Sequence, residues 1–412
     1  MPARGRLMIG RWLLAFGALA LAALALSLSG GQEGFIPQPV GSINYTRHIA
    51  KIIGRSCTPC HFEGGASPFA LDSYARVKRR GAEVVQLIMS GHMPPCNAKS
   101  DFGDFCTTPM PSQRERFMVK QWHEEGSRVG PGKLLPPRAP ALKSWPMGKP
   151  DRILTITGTA APASGAVQWK SFPLPALGKK AFAMGGFDVQ VDAPLAVRSV
   201  SLWMAEKDEW LGTWMPGYRK PIFPHAKLDR SLRQVAPPPQ IAREIHAGAS
   251  LKAVLRIHPT GRKESITVRI GLYRAKAEIE ARGMVLESGR FTIAAGDPTF
   301  QIKTSMTMSQ DTRVYALAPE LRMFGEAVEV AAVLPNGGRK VLLEIPIWNP
   351  NWTGGYWFAE PVSLPKGTVL RAKFRLNNSV TNLRLKQPAV LVVSGPGPDQ
   401  PSARLDLIVS DG

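Results

Sequence analysis

Cysteine is scarce and confined: the four thiols of this 412-residue chain all fall between Cys57 and Cys106. That excludes a disulfide-stapled scaffold for everything after this stretch. Histidine is sparse where a metal site would need it. Of seven, only His225, His246 and His258 lie beyond residue 150, and none forms a His-His or His-x-His pair. No methionine follows Met323. Acidic residues are outnumbered, 31 against 52 Lys and Arg, for a net charge of +21. After residue 28 no apolar run is long enough to span a bilayer. Nothing has the spacing of a helix-turn-helix, zinc finger or RRM. The basic excess therefore points away from nucleic acid; a plain solvated basic surface is one reading, and an acidic redox partner or an anionic membrane surface is the other.

What is present bounds the fold. The length suits two to four domains with real cores. With 39 Gly and 37 Pro, a helix bundle is disfavoured and short strands joined by turns are favoured. The charge is uneven: 19 basic against 9 acidic residues give +10 over 1–150, 20 against 11 give +9 over 151–286, and 13 against 11 give +2 over 287–412. Arg4, Arg6 and Arg11 precede an apolar run from Trp12 to Leu28, the pattern of an export signal, with Ser29, Gly30 and Gly31 behind it. Residues 1–34 are read as this segment, either retained as an inner-membrane tether or cleaved. The remainder is expected in the periplasm or otherwise outside the cytoplasm.

Beyond it, apolar residues recur at helical spacing around His48 to Ile53 and from Tyr74 to Met89. A third helix is expected after Ser112, running through Trp122 and ending at Gly126. Residues 35–130 are read as a helical domain and 131–150 as a Pro-rich linker. From 151 the period changes to two, as in Leu154-Thr155-Ile156-Thr157, Val268-Arg269-Ile270 and Val328-Glu329-Val330. Two antiparallel β-sandwiches, 151–286 and 287–412, accommodate these short strands. The expected class is thus multidomain α plus all-β.

Cys57-Thr58-Pro59-Cys60-His61 is C-x-x-C-H. Two thiols one helical turn apart can form thioethers to both vinyl groups of one haem c, and the adjacent His61 becomes the proximal axial ligand. Zinc would need a second Cys pair, and a thioredoxin-like site a βαβ context. Met93, in His92-Met93-Pro94-Pro95, is the candidate distal ligand of the iron, with Met89 and His92 as rivals. A His/Met pair raises the haem potential and suits electron transfer. Cys96 and Cys106 bracket a short polar loop, and a local disulfide there would be worth ~3 kcal/mol; a pair of buried free thiols is the alternative.

These residues, with Ala66-Ser67-Pro68-Phe69, Leu71 and Tyr74, resemble the cytochrome c module at the N-terminus of bacterial proteins related to copper type II, ascorbate-dependent monooxygenases. Trp145 to Asp151, Trp214-Met215-Pro216-Gly217, Ala295-Gly296-Asp297-Pro298, Asn351-Trp352 and Leu364-Pro365-Lys366-Gly367-Thr368 come in that family's order. The resemblance implies an N-terminal helical cytochrome c domain followed by two jelly-roll-like sandwiches of the peptidylglycine monooxygenase type. It also implies copper held by an adjacent His pair plus a third His, and by His-x-His plus Met. Here Arg198 and Ser199, Arg256, and Glu320 and Arg322 stand at those ligand positions, and the late Met is absent. A guanidinium offers no lone pair to a metal, so copper is not expected. Glu320 and Arg322, on one strand, could form an ion pair with Arg198 nearby; a solvated charge is the alternative.

Electron transfer by an exported monohaem protein is therefore expected, its sandwiches docking an acidic cupredoxin, a cytochrome or a membrane redox complex. Two other readings stay open. One is a copper monooxygenase whose site is rearranged around His258 and fed electrons by the haem. The other is a non-catalytic haem subunit of a membrane complex.

Overall fold

Leu154 and Ile156 are buried while Thr155 and Thr157 face out, the alternation that a half-buried strand requires. The computed structural model describes residues 41–412 except 97, 103–104, 106–109, 133, 135–144, 146–147, 217–240, 276–278, 386–389 and 398. The first half of the β region comprises β1 (Arg152–Ala161), β2 (Gln168–Leu174), β3 (Phe182–Val191), β4 (Val197–Met204), β5 (Glu209–Trp214), β6 (Ile241–Ile245), β7 (Leu251–Ile257), β8 (Glu264–Arg274) and β9 (Ile279–Glu287). The second half comprises β10 (Thr292–Ile293), β11 (Phe300–Thr307), β12 (Thr312–Glu320), β13 (Gly325–Val333), β14 (Arg339–Ile345), β15 (Tyr356–Leu364), β16 (Val369–Leu376), β17 (Val392–Val393) and β18 (Arg404–Asp411).

One eight-stranded sheet, in the order β1-β8-β3-β6-β9-β18-β12-β15, runs through both halves. A four-stranded sheet, β2-β7-β4-β5, shares a buried core with its first half, and β11-β16-β13-β14 shares another with its second. The halves join where β9 pairs antiparallel with β18, from Arg404↔Glu287 to Val409↔Arg282. Among the described residues the one parallel pairing is β6 with β9, over Ile241↔Ile279, Ala242↔Glu280 and Arg243↔Ala281. Central strands of this shared sheet are covered on both faces, so β18 is buried continuously from Leu405 to Ser410 instead of alternating. In β1 the register slips between Ile156 and Thr159, and Gly158 supplies the positive φ the bulge needs.

Four α-helices of 6 to 12 residues precede the sheets: α1 (Ala50–Ser56), α2 (Tyr74–Arg79), α3 (Gly81–Met89) and α4 (Gln113–Glu124). A π-helical turn, Tyr45–Ile49, leads into α1. Ser112 and Glu115 close a reciprocal capping box on α4, whose Val119 and Trp122 face inward. Trp122 meets Tyr45 and Tyr74 in a small aromatic core, and its Nε1 donates to Arg128 O at 2.9 Å.

The structure corrects the expected fold class. Strand makes up 42% of the described residues and helix 13%, and no separate helical cytochrome c domain exists among them. Residues 43–412 cluster as one compact unit, short helices included. The helical pattern is interrupted for physical reasons. Pro59, Gly64, Gly65 and Pro68 keep the stretch after α1 in turns and bends, and Pro94-Pro95 stop the chain soon after α3. Past Pro95 the chain joins the β region. Lys99 and Glu344 exchange backbone hydrogen bonds at 2.8 Å, and Cys96 and Phe105 are buried in the second core. The export segment lies outside the described residues. Among the described residues no helix is long and apolar enough to cross a membrane.

Candidate functional site

Helix α1 ends directly on the C-x-x-C-H. Cys57 N donates to Ile53 O, and Cys60 N and His61 N both return to Cys57 O, at 3.1 and 2.9 Å. The segment therefore forms one further turn that sets Cys57 and Cys60 a helical turn apart. Both are free thiols. Burial pushes Cys57 up to about 12, reinforced by Cys60, and Cys60 up to about 11, with Arg198 pulling the other way. His61 Nδ1 lies 3.2 Å from Phe69 O, and its ring packs on Phe69 with centroids 4.7 Å apart. A carbonyl can only accept, so Nδ1 carries the proton and Nε2 keeps its lone pair. Burial pushes the imidazole below its ordinary pKa against the pull of that carbonyl, with Arg198 and Arg80 adding to the depression, so His61 is neutral at pH 7.

The motif abuts the first sandwich: the Cys60 thiol donates to Pro216 O at 3.1 Å. Next to it are two of the positions where the family resemblance implies copper ligands. Arg198 sits in a bulge of β4, where the pairing with β7 slips between Val197 and Ser199, and Ser199 pairs with Arg256. Arg256 is 5% exposed, 5.5 Å from the Trp169 ring, and donates from Nη2 to Asn351 Oδ1 at 3.1 Å. Burial, then Arg198, pushes it down to about 10. Burial also lowers Arg198. His258, two residues on, is driven to about 3 by burial and then by Arg256 and Arg198. Arg198 Nε, Ser199 Oγ, Arg256 Nε and His258 Nε2 are buried without a hydrogen-bond partner among the described residues.

A cavity of about 2110 Å³ opens beside this cluster, its walls including Met93, Trp169, Arg256, His258, Trp348 and Asn351. Met93 follows α3 on a loop whose His92 and Met93 amides both donate to Leu87 O. Asn349 Nδ2 pins that loop to the second sandwich by donating to His92 O at 2.9 Å. Of the rivals, Met89 is half-buried at the end of α3, and His92 is exposed with its ring 3.0 Å from Ser90 Oγ. Met93 thus lines the cavity, while Cys57, Cys60 and His61 are not among its wall residues.

No protein-family model and no curated protein matches the chain. Among solved structures, the major capsid protein P2 of bacteriophage PM2 aligns at 11% identity over 63% of this chain and 97% of that one, with a TM-score of 0.26. The structure of infectious bursal disease virus, Gt strain, aligns at 10% identity over 63% and 70%, with a TM-score of 0.20. Similarity this slight says nothing of fold or function.

Glu320 and Arg322 do pair, but not as residues of one strand. Strand β12 stops at Glu320, and Arg322 lies in a 3-10 turn with φ at +57°. Its Nε meets Glu320 Oε1, and Nη1 donates to the carbonyls of Gly395, Gly397 and Gln400. Arg322 therefore ties down a loop, and Arg198 belongs instead with Cys60. Cys96 is fully buried, and Cys106, its expected disulfide partner, lies outside the described residues. His246 faces Glu206 at 3.6 Å near the surface, and His225 lies outside the described residues. Among the described residues no group of three or more His, Cys, Asp or Glu is gathered for a metal ion. Sequence reasoning missed the junction of C-x-x-C-H with Arg198 and Pro216, because a contact across more than 130 residues leaves no local pattern.

Proposed function

We propose that this protein is an exported monohaem electron-transfer protein, with haem c attached through Cys57 and Cys60 and iron held by His61 and Met93. The observation that carries the reading is the turn at 57–61: two unpaired thiols one helical turn apart, followed by an imidazole whose Nδ1 proton is engaged by Phe69 O. That engagement fixes the tautomer and orients the ring for ligation through Nε2. When bound, the haem supplies a one-electron couple. The chain's part is to hold it. Burial keeps both thiols protonated until attachment, Phe69 and Leu71 fix the His61 ring and backbone, and Asn349 steadies the loop that presents Met93.

The sequence of the sandwiches resembles that of copper type II monooxygenases in its motifs and their order. Arg198 and Arg256 stand where copper would need imidazoles, and their positive charge opposes a metal cation there. The sandwiches are assigned a docking role toward an acidic redox protein or a membrane redox complex, supported by the +21 charge. The full chain, expressed with a haem-attachment system, is expected to give the sharp reduced bands of a low-spin c-type haem. A colourless product overturns the assignment.

A further inference from the structure

Arg198 and Arg256 present an unusual electrostatic situation. Arg256 is buried and Arg198 half-buried, and Ser199 beside Arg198 pairs across the sheet with Arg256. Arg198 depresses Arg256, and no carboxylate among the described residues pairs with either. Elsewhere the chain compensates its buried arginines: Arg243 has Glu209, and Arg404 has Asp406 and Asp208. An unpaired buried guanidinium is costly and survives where something else supplies the counter-charge. The unpartnered donors at Arg198 Nε and Arg256 Nε mark where it would sit, next to His258, with Arg256 and His258 on the cavity wall.

We infer that Arg198 and Arg256 form a binding site for a pair of carboxylates. Two planar guanidinium forks match two acid groups in charge and geometry. Two sources share this chemistry. One is the pair of propionates on a haem held at Cys60, in which case the inference rests on the proposed function. The other is a small dicarboxylate entering from solution through the cavity. On either source, the positions where the family resemblance implies copper ligands serve an anion in this chain.

The test uses the full chain matured with haem, as wild type, R198Q, R256Q, R198K and R256K, with Arg152→Gln as an exposed charge control on β1. The readouts are the propionate bending bands in resonance Raman spectra, the haem mid-point potential, and succinate binding by calorimetry. If the propionates occupy the site, both Gln variants shift the bands and lower the potential, since removing a cation stabilises the ferric form. The Lys variants then shift them less, R152Q moves neither, and succinate does not bind the matured chain. If the acid comes from solution, the bands stay fixed and succinate binds wild type at least tenfold more tightly than R256Q. Bands and potential indifferent to Arg198 and Arg256, together with succinate binding indifferent to Arg256, overturn the site. Should a Gln variant not fold, its Lys counterpart supplies the comparison, because it keeps the charge and loses the fork. A chain that takes up no haem removes the proposed function alone. Succinate binding on that colourless chain then decides the site.

Discussion

The parallel join of β6 to β9 rests on three residue pairings and one buried ion pair, and that pair gives a quantitative prediction. Glu209, at the start of β5, and Arg243, on β6, are 9% and 8% exposed. Glu209 Oε2 meets Arg243 Nη2, its Oε1 accepts from Gly283 N, and Arg243 Nη1 donates to Ala281 O at 2.6 Å. Both backbone partners belong to β9, so the pair ties β5 and β6 to the last strand of the first half, which pairs onward with β18. Glu209→Ala leaves Arg243 buried with one carbonyl and strands the Gly283 amide. Breaking a buried pair from one side costs about 3–5 kcal/mol. Arg243→Met strands the carboxylate and falls in the same range. The double change E209L/R243M removes both charges and both desolvation costs, and lands within about 1 kcal/mol of wild type or above it. Urea midpoints followed by tryptophan fluorescence of wild type, E209L, R243M and the double variant measure the four corners of the cycle, with E209A alongside. The exposed Lys120–Glu124 pair on α4 is the control, and Lys120→Ala is expected to cost under about 0.5 kcal/mol. An E209A chain no less stable than K120A, or a double variant that loses the sum of the two singles, rules out this role for the pair.

Three further outcomes are expected. In a haem-free C57S/C60S chain, His258 has a folded pKa of about 3 against 6.5 unfolded, so unfolding takes up a proton. Its contribution is complete above pH 6.5 and is lost as the pH falls toward 3, about 1 kcal/mol between pH 7 and 5 once solvent screening of the half-buried ring is taken into account. H258Q in the same background is expected to flatten the fall in urea midpoint by that amount, and identical slopes contradict the burial of His258. Gly81→Ala puts a Cβ 2.4 Å from His123 Nδ1 where α3 meets α4, which should cost about 1–3 kcal/mol and be relieved in part by H123A, read from thermal melts. Met93→Ala is expected to lower the haem potential and alter the ferric spectrum without loss of covalent haem, because the thioethers remain; an unchanged potential removes Met93 as a ligand.

Local chemistry was legible in the sequence wherever neighbours in the chain suffice. Period-two alternation marked β1, β8 and β13 because each buries one face, and Ser112 with Glu115 marked the start of α4 because a capping box closes within four residues. The C-x-x-C-H turn was readable for the same reason. The continuous helix expected from Tyr74 to Met89 breaks at Arg80, where a non-helical backbone lets Gly81 approach His123. The helical domain failed as a unit because its aromatic core of Tyr45, Tyr74 and Trp122 is small, and because Lys99, Cys96 and Phe105 give their hydrogen bonds and apolar surface to the second sandwich. The parallel β6–β9 pairing, the Glu209–Arg243 pair and the placement of Arg198 beside Cys60 depend on residues 34 to 138 apart in the chain. No propensity or period encodes them.

Electron transfer by this chain depends first on covalent attachment at the turn between α1 and α2. Mass spectrometry of the proteolytic peptide spanning Cys57 to His61, from the full chain matured with haem, tests it. One haem mass is expected on that peptide, lost in C57A/C60A. A peptide carrying two unmodified thiols, from a chain made beside a correctly haem-loaded control protein, excludes the attachment.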